Sequence, residues 1–101
     1  MFKKILLTSI ISFLFINAVN AQEAPSKYVT CAACHGANGI AIIDGYPNLA
    51  GQNKQYIINS YKAYKNGNRN GGNAEIMKTM ANILTTDAEI EEVAEWLSKQ
   101  K

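Results

Sequence analysis

The sequence predicts an all-α domain of three to five short helices, and three observations support this fold class. No segment alternates apolar and polar residues in the manner of a strand. The last helix is the clearest, because Thr86 and Glu89 fit a capping box. One apolar face then follows at helical spacing: Ile90, Val93, Ala94 and Leu97. The stretch 36–52 is punctuated by glycine and proline and is predicted to be a loop.

The first 21 residues are predicted to be a secretory signal peptide rather than part of the fold. Two lysines form a basic start, and the apolar run 5–16 is shorter than the ~20 residues that a membrane span needs. Val19 and Ala21 are small residues three before and one before the expected cleavage, which falls after Ala21. We therefore expect a single periplasmic domain at 22–101 without stable membrane insertion. A leader retained as a membrane anchor is the alternative.

Three helices are expected before the last one. Pro25 opens a short helical stretch that ends at His35. Asn53 is a plausible cap for a second helix that runs to about Lys65. A turn rich in asparagine and glycine separates it from a third short helix at 74–82.

The charge balance argues against nucleic-acid binding. The sequence holds 10 basic and 8 acidic residues, and two of the lysines lie in the predicted leader, so the mature chain has no net charge. A nucleic-acid-binding domain is expected to show a basic excess. The basic residues concentrate in the middle of the chain and the acidic ones in the last helix. This segregation is typical either of two solvated helix faces or of a dipolar molecule that orients toward a partner.

Both cysteines and the single histidine of the chain lie in five residues, Cys31-Ala-Ala-Cys34-His35. A zinc site needs four ligands, and this chain offers three of the soft kind. A redox dithiol of the thioredoxin type accompanies a βαβ pattern, which is absent from this sequence. Cys-x-x-Cys-His is the direct signature of covalent haem attachment. Cysteines three apart share one face of a helix, so both thiols can reach the same side of one porphyrin. The next residue, His35, can then reach the iron. A bound haem would also supply buried apolar surface that so small a domain lacks.

At this point the sequence resembles the class I c-type cytochromes, specifically the short bacterial kind that is similar to one half of the di-haem cytochromes. The resemblance covers nearly all of the predicted mature chain. It rests on these stretches: Cys-Ala-Ala-Cys-His-Gly, Tyr46 to Gln52, Tyr56, Gly67-Asn68-Arg69, a methionine shortly before Leu84-Thr85-Thr86-Asp87, and the closing amphipathic helix.

The resemblance implies a class I cytochrome c fold around one covalently bound haem c, with specific roles for several residues. Cys31 and Cys34 would form the thioethers, and His35 would be the proximal iron ligand, hydrogen-bonded to the Pro47 carbonyl. Met77 would be the second axial ligand because its distance to Leu84 fits the family, and Met80 is the alternative. Four residues are expected to line the pocket: Tyr46, Leu49, Tyr56 and Ile76. Arg69 is either a haem propionate ligand or a surface residue, and Trp96 would pack against the first helix.

The implied function is that of an electron carrier rather than an enzyme, because a low-spin haem with two protein ligands has no site for a substrate. Expected partners are transient redox proteins: a quinol-oxidising complex on one side, and a terminal oxidase or peroxidase on the other. Two alternatives remain open from the sequence. A five-coordinate haem sensor or gas-binding protein requires that no methionine binds the iron. A thiol–disulfide oxidoreductase would use the two cysteines directly.

Overall fold

The computed structural model describes residues 23–101, and the predicted signal peptide therefore lies outside the described residues. One turn of 3-10 helix at Ser26–Tyr28 leads into α1, Val29–His35. Three further helices follow: α2, Lys54–Lys65; α3, Ala74–Met80; and α4, Asp87–Ser98. Strands are absent from this part of the chain, which confirms the all-α fold class. Within the same residues, no helix is long and apolar enough to cross a membrane.

The helix starts follow from local side-chain hydrogen bonds. The Asn53 side chain accepts a hydrogen bond from the Tyr56 amide at 2.9 Å and so caps α2. At α4 the predicted capping box is complete: Thr86 Oγ1 accepts from the Glu89 amide at 3.1 Å, and Glu89 Oε1 accepts from the Thr86 amide. Helix α3 ends at Met80, two residues earlier than the sequence suggested.

The core is built mainly on the inner face of α4. Helix α2 packs against both α4 and α3, and the 3-10 turn also contacts α4. Tyr28 of that turn and Trp96 of α4 lie with ring centroids 5.0 Å apart, so the expected contact of Trp96 with the start of the fold is made by this tyrosine. The buried apolar cluster consists of Tyr28, Leu84, Ile90, Val93, Trp96 and Leu97.

The loop between α1 and α2 folds back on itself through two glycines. Gly36 has a φ of 86°, and a Cβ at this position would collide with the Ile40 carbonyl. Gly39 lies against Ala50 and Leu97, where a Cβ would approach both to 2.9 Å. Only glycine allows both the positive φ and the close approach. The loop therefore returns to α4, where the Gly51 amide donates to the Leu97 carbonyl at 2.9 Å.

Ion pairs between α2 and α4 account for much of the charge segregation in the sequence. Lys54 Nζ lies 3.3 Å from a Glu91 carboxylate oxygen and 3.2 Å from one of Glu95, and Lys62 lies 3.3 Å from Asp87. These groups are solvent-exposed, so each pair contributes little to stability. The basic middle and the acidic end of the chain thus face each other within one molecule.

Candidate functional site

The Cys-x-x-Cys-His segment occupies the second half of α1. Cys31 and Cys34 form no disulfide, are each partly exposed, and lie one helical turn apart. Burial raises the pKa of the Cys31 thiol. His35 is the last residue of the helix and is only 6% exposed. A single turn of helix thus presents two thiols and an imidazole.

The orientation of the His35 ring is fixed by the loop. Its Nδ1 lies 3.0 Å from the Pro47 carbonyl oxygen, and because that oxygen only accepts, Nδ1 carries the proton. The lone pair of the imidazole is then on Nε2. Tyr46, next to Pro47, approaches the ring edge-on with a centroid distance of 6.3 Å.

Two adjoining cavities open beside this histidine. The larger has a volume of about 270 Å³ and the smaller about 140 Å³. His35 and Pro47 border both of them. So do six further residues: Leu49, Ile57, Tyr61, Tyr64, Arg69 and Met77. We call this combined space the cleft. Its walls are mostly apolar and aromatic, which suits a flat hydrophobic ligand.

The four residues expected to line the pocket divide between the cavities. Tyr46 and Ile76 border the larger one, and Leu49 borders both. Tyr56 borders only the smaller one and is 51% exposed. It therefore lies at the rim of the cleft rather than deep inside it.

The two methionines of α3 differ in their position. Met77 borders both cavities, as His35 does, whereas Met80 borders only the larger one. Both side chains are partly buried.

Arg69 provides a positive charge at the cleft. Its guanidinium lies 4.7 Å from the centroid of the Tyr64 ring, a cation–π distance. Within residues 23–101, no carboxylate forms an ion pair with it. The same residues contain no group of three or more His, Cys, Asp or Glu that could hold a metal ion.

Comparison with known proteins decides the family. The family model described as cytochrome c matches residues 21–101. The chain belongs to the cytochrome c family. It is 43% identical over 84 residues to cytochrome c-554(548) of Halomonas halodenitrificans, covering 83% of this chain and all of that protein.

Two longer proteins extend the comparison. A thiosulfate dehydrogenase electron acceptor of Thiomonas intermedia is 39% identical over 70 residues, which cover 69% of this chain and 32% of that protein. The structure of cytochrome c4 from Acidithiobacillus ferrooxidans matches with a TM-score of 0.59 at 33% identity, over 75% of this chain and 39% of that one. The cytochrome c fold is thereby confirmed, and this chain spans well under half of both longer relatives.

Cytochromes c bind haem c covalently, and the described residues fit one such group. The helical turn of α1 offers two free thiols, the histidine offers Nε2, and the apolar cleft lies beside them. The guanidinium of Arg69, which forms no ion pair with a carboxylate among the described residues, suits a carboxylate at the cleft. The haem c predicted from the sequence is therefore confirmed.

Two tyrosines support the site through hydrogen bonds that the sequence did not indicate. The Tyr28 hydroxyl donates to the Gly36 carbonyl at 2.7 Å, directly after His35. The Tyr61 hydroxyl accepts from the Leu84 amide at 2.8 Å. Burial raises the pKa of Tyr28 to about 12 and also raises that of Tyr61. In the sequence, Ile57, Tyr61 and Tyr64 recur at helical spacing, a pattern that marks a helix face but does not indicate this hydrogen bond.

Proposed function

We propose that this cytochrome c is a periplasmic carrier of single electrons, with Cys31 and Cys34 bonded to the haem as thioethers. The axial iron ligands are His35 and Met77, and the leader is cleaved after Ala21. The observation that carries the proposal is the hydrogen bond from His35 Nδ1 to the Pro47 carbonyl at 3.0 Å. It leaves Nε2 as the ligand atom beside a cleft that Met77 also borders.

The residues of the chain prepare the site for this role. Cys31 and Cys34 would hold the haem through two thioethers, each formed by adding the thiol S–H across a porphyrin vinyl group. The Pro47 carbonyl holds the tautomer of His35 and makes the ring a stronger ligand. With His35 and Met77 as protein ligands, the haem would have a raised reduction potential and would supply one-electron chemistry. Because both ligands come from the chain, the site would exchange electrons rather than bind a substrate.

Met77 is proposed over Met80 for a structural reason as well as for its distance to Leu84. A methionine that would hold the iron together with His35 has to border the same space as that histidine. Met77 shares both cavities with His35, whereas Met80 borders only one. Met80 then packs beside the ring as an apolar residue.

Arg69 is proposed to bind a haem propionate. Its guanidinium borders both cavities and is held over the Tyr64 ring, without a carboxylate partner among the described residues. A propionate would supply that partner as a charge-assisted hydrogen bond.

Cytochromes c exchange electrons with other redox proteins, and two classes of partner are proposed here. One is the respiratory pair expected from the sequence: a quinol-oxidising complex as donor, and a terminal oxidase or peroxidase as acceptor. The name of the Thiomonas relative adds a dehydrogenase of an inorganic sulfur compound as a second class of donor. Contacts with such partners are expected to be small and transient.

The ligand assignment is tested by replacing each methionine in the haem-bearing protein. The oxidised protein should show the weak far-red charge-transfer band of an iron–thioether bond. Met77→Ala should abolish the band, lower the reduction potential and let carbon monoxide bind the reduced iron. Met80→Ala is the matched control and should keep the band while destabilising the fold by at most about 2–5 kcal/mol.

Other outcomes would separate the remaining candidates. Loss of the band in Met80→Ala alone would make Met80 the ligand. A protein that lacks the band before any substitution, and binds carbon monoxide when reduced, would be a five-coordinate sensor. Haem that is released by acid–acetone extraction would contradict the thioether bonds.

A further inference from the structure

Leu84 lies in the connection between α3 and α4, and both of its backbone polar groups are bound by side chains of α2. The Leu84 amide donates to the Tyr61 hydroxyl at 2.8 Å. Its carbonyl oxygen accepts from Lys65 Nζ at 3.3 Å and lies 3.5 Å from the same hydroxyl. Tyr61 and Lys65 are four residues apart and therefore share one face of α2. Leu84 itself is buried at 2% exposure, where unpaired backbone groups would be costly.

Helix α3 depends on few other contacts. It has no buried residue, and among the described helices it packs against α2 alone. Two backbone hydrogen bonds tie the residues just before Leu84 to the C-terminal end of α3. The Ala81 amide donates to the Met77 carbonyl at 2.7 Å, and the Ile83 amide donates to the Met80 carbonyl at 3.1 Å. Anything that holds Leu84 on α2 therefore also holds the end of the helix that carries both methionines.

We propose that Tyr61 and Lys65 are positioning residues, which hold the connection after α3 and thereby keep the methionine ligand over the cleft. The proposal rests on the proposed function, since it takes Met77 as the axial ligand. Neither side chain needs to touch the iron. They act through the backbone of Leu84. Their side chains satisfy its amide and carbonyl, which in a helix or sheet would be satisfied by other backbone groups.

The test compares Tyr61→Phe with Lys62→Met in the haem-bearing protein. Lys62 is a suitable control because it is on the same helix and borders neither cavity, and its ammonium group pairs with Asp87 at the surface. Two quantities are measured in each variant. The first is the hydrogen-exchange rate of the Leu84 amide. The second is the rate at which imidazole replaces the thioether in the oxidised protein, followed by loss of the far-red band.

In Tyr61→Phe, both rates should rise about tenfold, the equivalent of one buried hydrogen bond. Both should stay unchanged in Lys62→Met. Lys65→Met, which keeps an apolar stem without the ammonium group, should also accelerate imidazole binding. An unchanged rate in Lys65→Met would remove that residue from the proposal.

The remaining outcomes count against the proposal in different ways. Faster exchange of the Leu84 amide in Tyr61→Phe, with imidazole binding equal to that of Lys62→Met, would overturn the positioning role. Equal exchange rates in the two variants would overturn the hold on Leu84 itself. If the unsubstituted protein lacks the far-red band, the methionine ligation of the proposed function is wrong. In that case the positioning role falls with it, and amide exchange still decides whether Tyr61 holds Leu84.

Discussion

Tyr28 gives a direct measure of how firmly the end of α1 is held beside the haem site. The residue is 1% exposed, and its hydroxyl donates to the carbonyl of Gly36, which is itself buried. Gly36 follows His35, so this bond fixes the chain immediately after the proposed iron ligand. Tyr28→Phe removes the hydroxyl alone and keeps the ring that packs against Trp96.

The expected loss of stability follows from the burial of both partners. A buried carbonyl left without a donor costs about 1–3 kcal/mol, whereas the net contribution of an average hydrogen bond is about 1 kcal/mol. We expect about 2 kcal/mol, because the Gly36 carbonyl has little access to water. With a guanidinium slope on the order of 3 kcal/mol/M, this loss lowers the unfolding midpoint by about 0.7 M.

The assay is guanidinium unfolding of the haem-bearing protein, followed by far-ultraviolet circular dichroism. Tyr56→Phe is the control, since Tyr56 is exposed and its hydroxyl has no hydrogen-bond partner in the described part of the chain. Its midpoint should match that of the unsubstituted protein. A midpoint for Tyr28→Phe that equals the control would refute the argument from burial.

Two further predictions concern charged groups. Hydrogen bonds from Thr85, chiefly its amide, together with the ion pair to Lys27, lower the pKa of Glu89 from 4.5 to about 2. The folded state therefore favours the carboxylate, and its stabilising effect is complete above pH 4.5 and lost as the pH falls toward 2. In urea unfolding across this range, Glu89→Gln should show a weaker pH dependence than the unsubstituted protein, and an equal slope would contradict the assignment. Arg69→Gln should lower the reduction potential by up to about 60 mV, because a cation beside the haem disfavours the oxidised state. Arg69→Lys should keep the reduction potential close to that of the unsubstituted protein. An unchanged potential in Arg69→Gln would place the guanidinium away from the propionate.

The features that the sequence predicted well depend on neighbouring residues. The cap at Asn53, the capping box at Thr86 and the Cys-x-x-Cys-His turn are local patterns, and each is formed within one or two turns of chain. Ile57 borders both cavities, whereas the neighbouring residue Tyr56 lies at the rim of the cleft. The family pattern placed Tyr56 in the pocket, but that pattern gives only its position in the sequence and not its depth in the cleft.

The features that the sequence did not reveal depend on partners distant in the chain. Tyr28 donates to a carbonyl eight residues away, and Tyr61 binds a backbone 23 residues away, so neither bond follows from periodicity. The charge segregation is similar. Lys54 appears in the sequence as part of a basic region, but Glu91 and Glu95 neutralise it across the α2–α4 contact.

These hydrogen bonds share one arrangement, in which a side chain from one segment is bonded to the backbone of another segment around the cleft. Tyr28 holds the end of α1, the Pro47 carbonyl holds the His35 ring, and Tyr61 holds the connection after α3. Two cavities take up space in the interior of this small domain, so fewer helix–helix contacts are left to fix the walls of the cleft. Hydrogen bonds to buried backbone are specific in direction as well as in distance. They therefore keep both proposed iron ligands in one geometry, and a site whose ligands move little between oxidation states is suited to carrying electrons.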